Sequence, residues 1–183
     1  MGYLESTTDI TGSRKTVQKI VVTWSGWRDR ILNQAEVEGY GDVALFISED
    51  RDDLMRELAD ADVVMAVVWD AELLSASRRL GWVHAVSGGI ESYLFPEFVD
   101  SPVPFTCAKP TFGVPGAESA LAAMLMVTRR NHFSVGHLKT EHWLRTRDDD
   151  LFPENLAGKT VGILGMGHMG QALAPRAAAL GLR

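Results

Sequence analysis

The run Asp62-Val63-Val64-Met65-Ala66-Val67-Val68 carries no polar side chain after its first residue. It cannot be a strand with one wet face. An unbroken apolar run of this kind is what a parallel sheet covered on both sides requires. Its surroundings agree. Lys19–Thr23, Val43–Phe46, Trp82–Val86 and Phe105–Ala108 are further short strand-like runs rich in β-branched or aromatic residues. Between them, Arg28–Val37 places Ile31, Leu32 and Ala35 near helical spacing, and Asp52–Leu58 and Ala71–Leu80 read as helices. Strands alternating with helices of about ten residues build βαβ units. Five strands by Ala108 complete a small flavodoxin-like layer, so the sequence predicts an α/β domain over 17–108.

Lys109-Pro110-Thr111-Phe112-Gly113-Val114-Pro115-Gly116 then reads as a loop or linker, with two prolines and two glycines. Ala117–Arg130 follows as a long helix. Leu121, Met124, Leu125 and Thr128 mark one face, and Ala120, Ala122, Ala123 and Met126 leave the other apolar as well. A helix apolar nearly all round must be covered, here between two domains or two subunits. Phe133–Leu144 reads as a second amphipathic stretch. Asp148-Asp149-Asp150 reads as a solvated loop, because a metal site needs more oxygen ligands nearby.

The chemistry-bearing stretch is Gly158 to Ala174. Thr160–Leu164 is expected to be a strand, Gly165, Gly167 and Gly170 form G-x-G-x-x-G directly after it, and a helix closed by Gly181 is expected next. Each glycine has a separate reason. Gly165 permits the tight turn, Gly167 lets a diphosphate approach the backbone, and Gly170 lets helix and strand pack closely. The amides of His168 and Met169 then face an anion at a helix N-terminus, where the dipole favours negative charge. The His168 ring is only partly charged near its reference pKa of about 6.5, so the amide is expected to matter more. The bland alternative is a glycine-rich turn without a ligand. Pro175 removes one helical hydrogen bond and is expected to kink the helix.

Three ordered segments resemble the D-isomer-specific 2-hydroxyacid dehydrogenase family, particularly its glyoxylate/hydroxypyruvate reductase-like members. Leu80 to Glu91 is similar to the family's strand with an A-G-V-D turn, Gly116 to Arg129 to its V-A-E helix, and Leu156 to Gly170 to its glycine-turn segment; Trp143 also falls where the family often has Trp. His168 stands where the family usually has Arg, Glu91 where it has Asp, and Gly89 and Gly116 also depart from its pattern. The resemblance implies a flavodoxin-like parallel-sheet substrate domain followed by the start of a Rossmann NAD(P)-binding domain, over 109–183. It implies an NAD- or NADP-dependent oxidoreductase acting on a small 2-hydroxy or 2-oxo acid. The amides of Gly88, Gly89 and Ile90 would bind the substrate carboxylate, and Gly165, Gly167, His168, Met169 and Gly170 the cofactor. The plain alternative for the first set is an ordinary strand-to-helix connection. The resemblance further implies a homodimer through 117–144.

It also implies what these 183 residues do not carry. The family's Arg, Glu and His, its ribose-binding acid and a closing C-terminal helix fall beyond Arg183. The chain alone is therefore expected to be inert and poorly stable. A second reading is a non-catalytic carboxylate-binding or dimerisation module derived from the family.

Composition narrows the partners. A net charge of −6 argues against nucleic acid. The single Cys107 cannot form an internal disulfide and is expected to be a core thiol. Residues 1–16 are polar, without a signal-peptide core, and read as a disordered leader. The longest apolar run, Ala120–Val127, is short of the roughly 20 residues of a membrane span. A soluble cytoplasmic protein without a metal is expected.

Overall fold

The computed structural model describes residues 7–8, 14–15, 17–39, 42–137 and 152–183. Trp143, Asp148–Asp150 and the second half of Phe133–Leu144 lie outside them. The chain divides into two compact units, Met1–Ala108 and Lys109–Arg183.

In the first unit, β1 (Thr7–Thr8) and β2 (Arg14–Lys15) pair antiparallel. The expectation of disorder over 1–16 is therefore corrected at these four residues, where backbone groups pair with each other. The main sheet follows: β3 (Lys19–Val22), α1 (Arg28–Val37), β4 (Ala44–Ile47), α2 (Arg51–Glu57), β5 (Val63–Ala66), α3 (Ala71–Ala76), β6 (Trp82–Ala85), α4 (Pro96–Val99) and β7 (Phe105–Cys107). All four pairings are parallel, in the order β4-β3-β5-β6-β7. Numbered within the sheet, that is 2-1-3-4-5, the flavodoxin-like order.

Register explains the core. Val21 sits opposite Phe46 and Val64, Val64 opposite Val83, and Val83 opposite Phe105. These residues share one face. They pack with Leu54, Leu58, Leu73, Tyr93 and Phe98 from the covering helices and turns. Sequence periodicity missed α4, because four residues are too few to show a period, although Pro96 at its first turn is a valid start. The helix read as Ala71–Leu80 stops at Ala76, where the Ser77 hydroxyl donates to the Leu73 carbonyl. Cys107 is half-buried rather than fully enclosed, because β7 is the sheet's edge.

Two carboxylates pin the sheet. Asp62, 6% exposed at its side chain, accepts from the Gln18 amide at 2.9 Å, the Lys19 amide at 3.1 Å and Arg79 Nη2 at 3.0 Å. Asp70 caps α3 by accepting from the Glu72 and Leu73 amides, and Arg51 binds it with both guanidinium nitrogens. That guanidinium, then burial opposing it, holds the Asp70 carboxyl below the usual carboxylate range. Asp62→Ala would strand two backbone amides and a guanidinium. We expect it to destabilise the first unit by about 3 kcal/mol, read by urea denaturation. A loss under roughly 1 kcal/mol would mean that water replaces the carboxylate.

The second unit holds a 3-10 turn (Lys109–Phe112), α5 (Gly113–Thr128), α6 (Asn131–His137) and α7 (His168–Ala179). The linker expected over Lys109–Gly116 is helical instead. Pro115 lies in the first turn of α5, where its missing N–H has no intrahelical acceptor to lose. The resulting stretch Lys109–Thr128 is, among the described residues, the one helix long and apolar enough to cross a membrane by length and composition. Its Ala117 and Leu121 are nevertheless buried against Leu156, Leu173, Ala177 and Leu182. The helix α7 runs unbroken through Pro175. The kink expected there does not end it, since Leu173 and Ala177 on either side of the proline are packed.

Candidate functional site

The strand expected at Thr160–Leu164 has no ladder along its length. A strand needs a neighbour, and among the described residues this segment pairs with Arg183. The Arg183 amide donates to the Lys159 carbonyl at 2.9 Å, and the Val161 amide donates to the Arg183 carbonyl at 2.8 Å. That pair of bonds is a parallel bridge between Thr160 and Arg183. The reversal between them is specified locally. Gly181, at φ +77°, donates to Ala178 O, and the Leu182 amide donates back to Ala177 O, the bonding of a Schellman cap. The segment, α7 and Arg183 thus have the connectivity of a βαβ crossover.

The glycines at its front behave differently from one another. Gly165 has φ +96°, a conformation that side chains rarely adopt. Around Gly167, the N-cap of α7, no atom lies within 4 Å of where a Cβ would stand. At Gly170 a Cβ would lie 2.2 Å from the Gly165 carbonyl oxygen and 3.3 Å from Ile163 Cγ2. So turn, open approach and tight packing fall on three successive glycines. The helix's first hydrogen bond runs from the Gln171 amide to the Gly167 carbonyl at 2.9 Å. The amides of His168, Met169 and Gly170 are therefore the unpaired donors of the N-terminus. The His168 ring is exposed, and Gln171 Nε2 ties down the Met166 carbonyl at 2.8 Å. This arrangement suits an extended, flat anion: among the described residues the space beside Gly167 is open, and the dipole has the right sign.

Sequence reading treated Gly113 and Gly116 as loop punctuation. Both are contact residues. A Cβ on Gly113 would lie 3.0 Å from the His168 carbonyl oxygen, and one on Gly116 would lie 2.4 Å from Met169 Cε. Their spacing on α5 brings that helix against the first turn of α7.

The other candidate set, Gly88, Gly89 and Ile90, follows β6 in the first unit. The last amide of that strand to find a sheet carbonyl is Val86, on Ala66 at 3.0 Å. The amides of Gly88, Gly89 and Ile90 donate to no described residue. The turn is braced by side chains that sequence reading missed. Ser87 Oγ donates to the Gly89 carbonyl at 2.7 Å and lies 3.4 Å from the Tyr93 hydroxyl. That hydroxyl donates to the carbonyls of Ala66 and Val67, each at 3.1 Å. At the end of β3, the buried Thr23 hydroxyl accepts from the Val67 and Val68 amides and donates to the Val68 carbonyl at 3.0 Å. One hydrogen-bonded chain thus links the carboxyl ends of β3, β5 and β6. In a 2-1-3-4-5 sheet, β3 and β5 flank the topological switch point, where ligands bind. Ser87 beside two glycines was a readable signal for a side-chain-braced turn. Tyr93 and Thr23 gave none, because the backbone groups they bond are 26 to 45 residues away.

His84 stands on β6 but not at the turn. Burial pushes its imidazole below the ordinary value, and Nδ1 pairs with Thr106 Oγ1 at 2.8 Å. No cluster of metal-ligating side chains occurs among the described residues.

Comparison with known proteins agrees with this geometry. A family model described as the D-isomer specific 2-hydroxyacid dehydrogenase NAD binding domain matches residues 121–183. D-3-phosphoglycerate dehydrogenase of Mycobacterium tuberculosis is 32% identical over 136 residues, covering 72% of this chain and 25% of that protein. Glyoxylate reductase of Thermofilum pendens is 28% identical over 144 residues, covering 74% of this chain and 42% of that protein. The chain thus spans between a quarter and less than half of these relatives. Among solved structures, a D-lactate dehydrogenase from Aquifex aeolicus complexed with NAD and lactic acid shares the fold, with a TM-score of 0.71 at 22% identity over 90% of this chain and 49% of that one. With the glycine turn built as that domain needs it, residues 121–183 match the NAD-binding domain of the D-isomer-specific 2-hydroxyacid dehydrogenase family, and the fold of the chain is the one these dehydrogenases share.

Proposed function

We propose that this chain carries two anion cradles of an NAD- or NADP-dependent oxidoreductase acting on a small 2-hydroxy or 2-oxo acid of the glyoxylate/hydroxypyruvate type. The observation that carries the proposal is the glycine junction, with Gly167 open and Gly170 closed against Gly165. The amides of His168 and Met169 hold the diphosphate, helped by the α7 dipole, and Gly170 keeps the helix close enough to aim them. The amides of Gly88, Gly89 and Ile90 receive the substrate carboxylate, with Ser87 and Tyr93 fixing the turn that presents them. A nicotinamide dinucleotide, when bound, supplies the hydride acceptor or donor. The cytoplasm, where a lone thiol such as Cys107 stays reduced, is the proposed location.

The chain's own residues bind and orient but supply no proton-transferring His matched to the family's, so the 183-residue chain is proposed to be inert. Purified protein incubated with NADH or NADPH and glyoxylate or hydroxypyruvate should show no consumption of cofactor above a protein-free control. Turnover would overturn the assignment of catalysis to residues outside the chain.

A homodimer through 117–144 belongs to the same proposal. Its support is the outer face of α5, where Met126 is 48% and Val127 60% exposed beside Ala122 and Ala123. Leu125, the natural choice from sequence, is partly buried against the unit's own core. The informative substitution is therefore Val127→Glu. It should convert a sedimenting dimer to monomer without a change in helical content, and an unchanged sedimentation coefficient would count against this interface.

A further inference from the structure

Three consecutive carbonyls at the glycine junction are turned onto α7. The Gly165 oxygen is packed on Gly170, where a Cβ would have no room. The Gly167 oxygen accepts from the Gln171 amide at 2.9 Å. Between them, the Met166 oxygen accepts from Gln171 Nε2 at 2.8 Å. A carbonyl can only accept, so it is the nitrogen of the Gln171 side chain that faces it. One residue therefore holds two of the three carbonyls, one with its backbone and one with its side chain.

The peptides here are trans, and a trans peptide is planar with its N–H opposite its C=O. Turning the carbonyls of Gly165, Met166 and Gly167 onto the helix turns the N–H groups of Met166, Gly167 and His168 away from it. None of these three donates to a described residue. Successive outward amides make a concavity for an anion. Backbone contacts fix the two outer peptides, through the packing of Gly165 on Gly170 and the first helical bond at Gly167. The Met166–Gly167 peptide is held instead by the side chain of Gln171. Gln171 is exposed, and water replaces an exposed hydrogen bond at little cost to stability. Water does not replace the direction that the bond sets.

We propose that Gln171 is a positioning residue of the diphosphate cradle. By holding the Met166 carbonyl on α7, it presents the Gly167 N–H as a donor beside those of His168 and Met169. The proposal rests on the dinucleotide reading of the junction and adds to it one donor and the side chain that aims it. A released Met166–Gly167 peptide is free to rotate and show the anion its carbonyl oxygen, which repels a diphosphate.

The test is ADP-ribose titrated into the 15N-labelled 183-residue chain and into Gln171→Met, which keeps the length of the side chain and removes its donor. In the parent, the Gly167, His168 and Met169 amides should move together. In Gln171→Met the affinity should fall about tenfold, the worth of one charge-assisted hydrogen bond. The Gly167 amide should then no longer follow the ligand, while hydrogen exchange along α7 stays as in the parent. Gln171→Glu is the second variant. Its side chain has the same shape and favours a helix N-terminus, but its carboxylate has no hydrogen to give, so the fold is kept and the affinity should fall at least as far. The proposal is overturned, with the dinucleotide reading intact, if either variant binds within about twofold of the parent, if the Gly167 amide responds alike in Gln171→Met and the parent, or if the lost affinity comes with lost protection along α7. If ADP-ribose moves none of these amides in the parent, the dinucleotide reading fails, and the role of Gln171 with it.

Discussion

Alanine at Gly170 is expected to destabilise the second unit by about 3 kcal/mol, lowering its melting temperature by roughly 10–20 °C. The added methyl would stand 2.2 Å from the Gly165 carbonyl oxygen and 3.2 Å from its carbon. Both are backbone atoms, so no side-chain rotation relieves the clash. Either α7 backs away from the turn or the turn, already at φ +96° on Gly165, must deform. If the helix moves, Leu173 and Ala177 are drawn off Ala117, Leu121 and Leu156, which form this unit's core. Overpacking of that kind usually costs 1–3 kcal/mol, and the upper end applies where neighbours are rigid. Hydrogen exchange at the α7 amides reads the effect locally. Gly167→Ala is the control: its φ of −75° is ordinary and nothing lies within 4 Å, so its melting temperature should match the parent's. Equal melting for Gly170→Ala would mean that the close helix–turn approach is not what holds this unit.

The parallel sheet was legible because each strand carries its own evidence. Val63–Ala66 is apolar on both faces, and Lys19–Val22 and Trp82–Ala85 are short β-rich runs between helices. The glycine turn was legible for the same reason, since Gly165, Gly167 and Gly170 each satisfy a separate local demand at fixed spacing. What escaped depends on residues distant in sequence. Thr160–Leu164 has strand character, but whether it forms a ladder depends on its neighbour, which among the described residues is Arg183. Pro115 and Gly113 read as breakers because their chemistry permits a helix start as well as a loop, and only the contact with His168 decides between them. In α5, a helix apolar nearly all round, spacing grouped Leu121, Met124 and Leu125 on one face but did not show which face turns inward; they pack against the core, and Met126 lies exposed. The Thr23, Ser87 and Tyr93 network had no sequence signature beyond Ser87, because a hydroxyl finds whichever carbonyl the fold presents.

Gly167→Val should abolish dinucleotide binding while leaving the fold intact. The space beside Gly167 is empty, so the isopropyl group is accommodated without strain; that same space is where a diphosphate must come to reach the His168 and Met169 amides. Losing two charge-assisted hydrogen bonds of about 1.5–3 kcal/mol each predicts a fall in affinity of at least a hundredfold. NAD and ADP-ribose titrated into the 183-residue chain, followed at the His168 and Met169 amides, give the measurement. His168→Ala separates ring from backbone. If the amides do the holding, removing the exposed imidazole should cost less than about threefold in affinity. A large loss in His168→Ala together with unimpaired binding in Gly167→Val would place the anion on the ring and leave the amides idle. The reverse pattern is the one that the open glycine and the unpaired helix N-terminus predict.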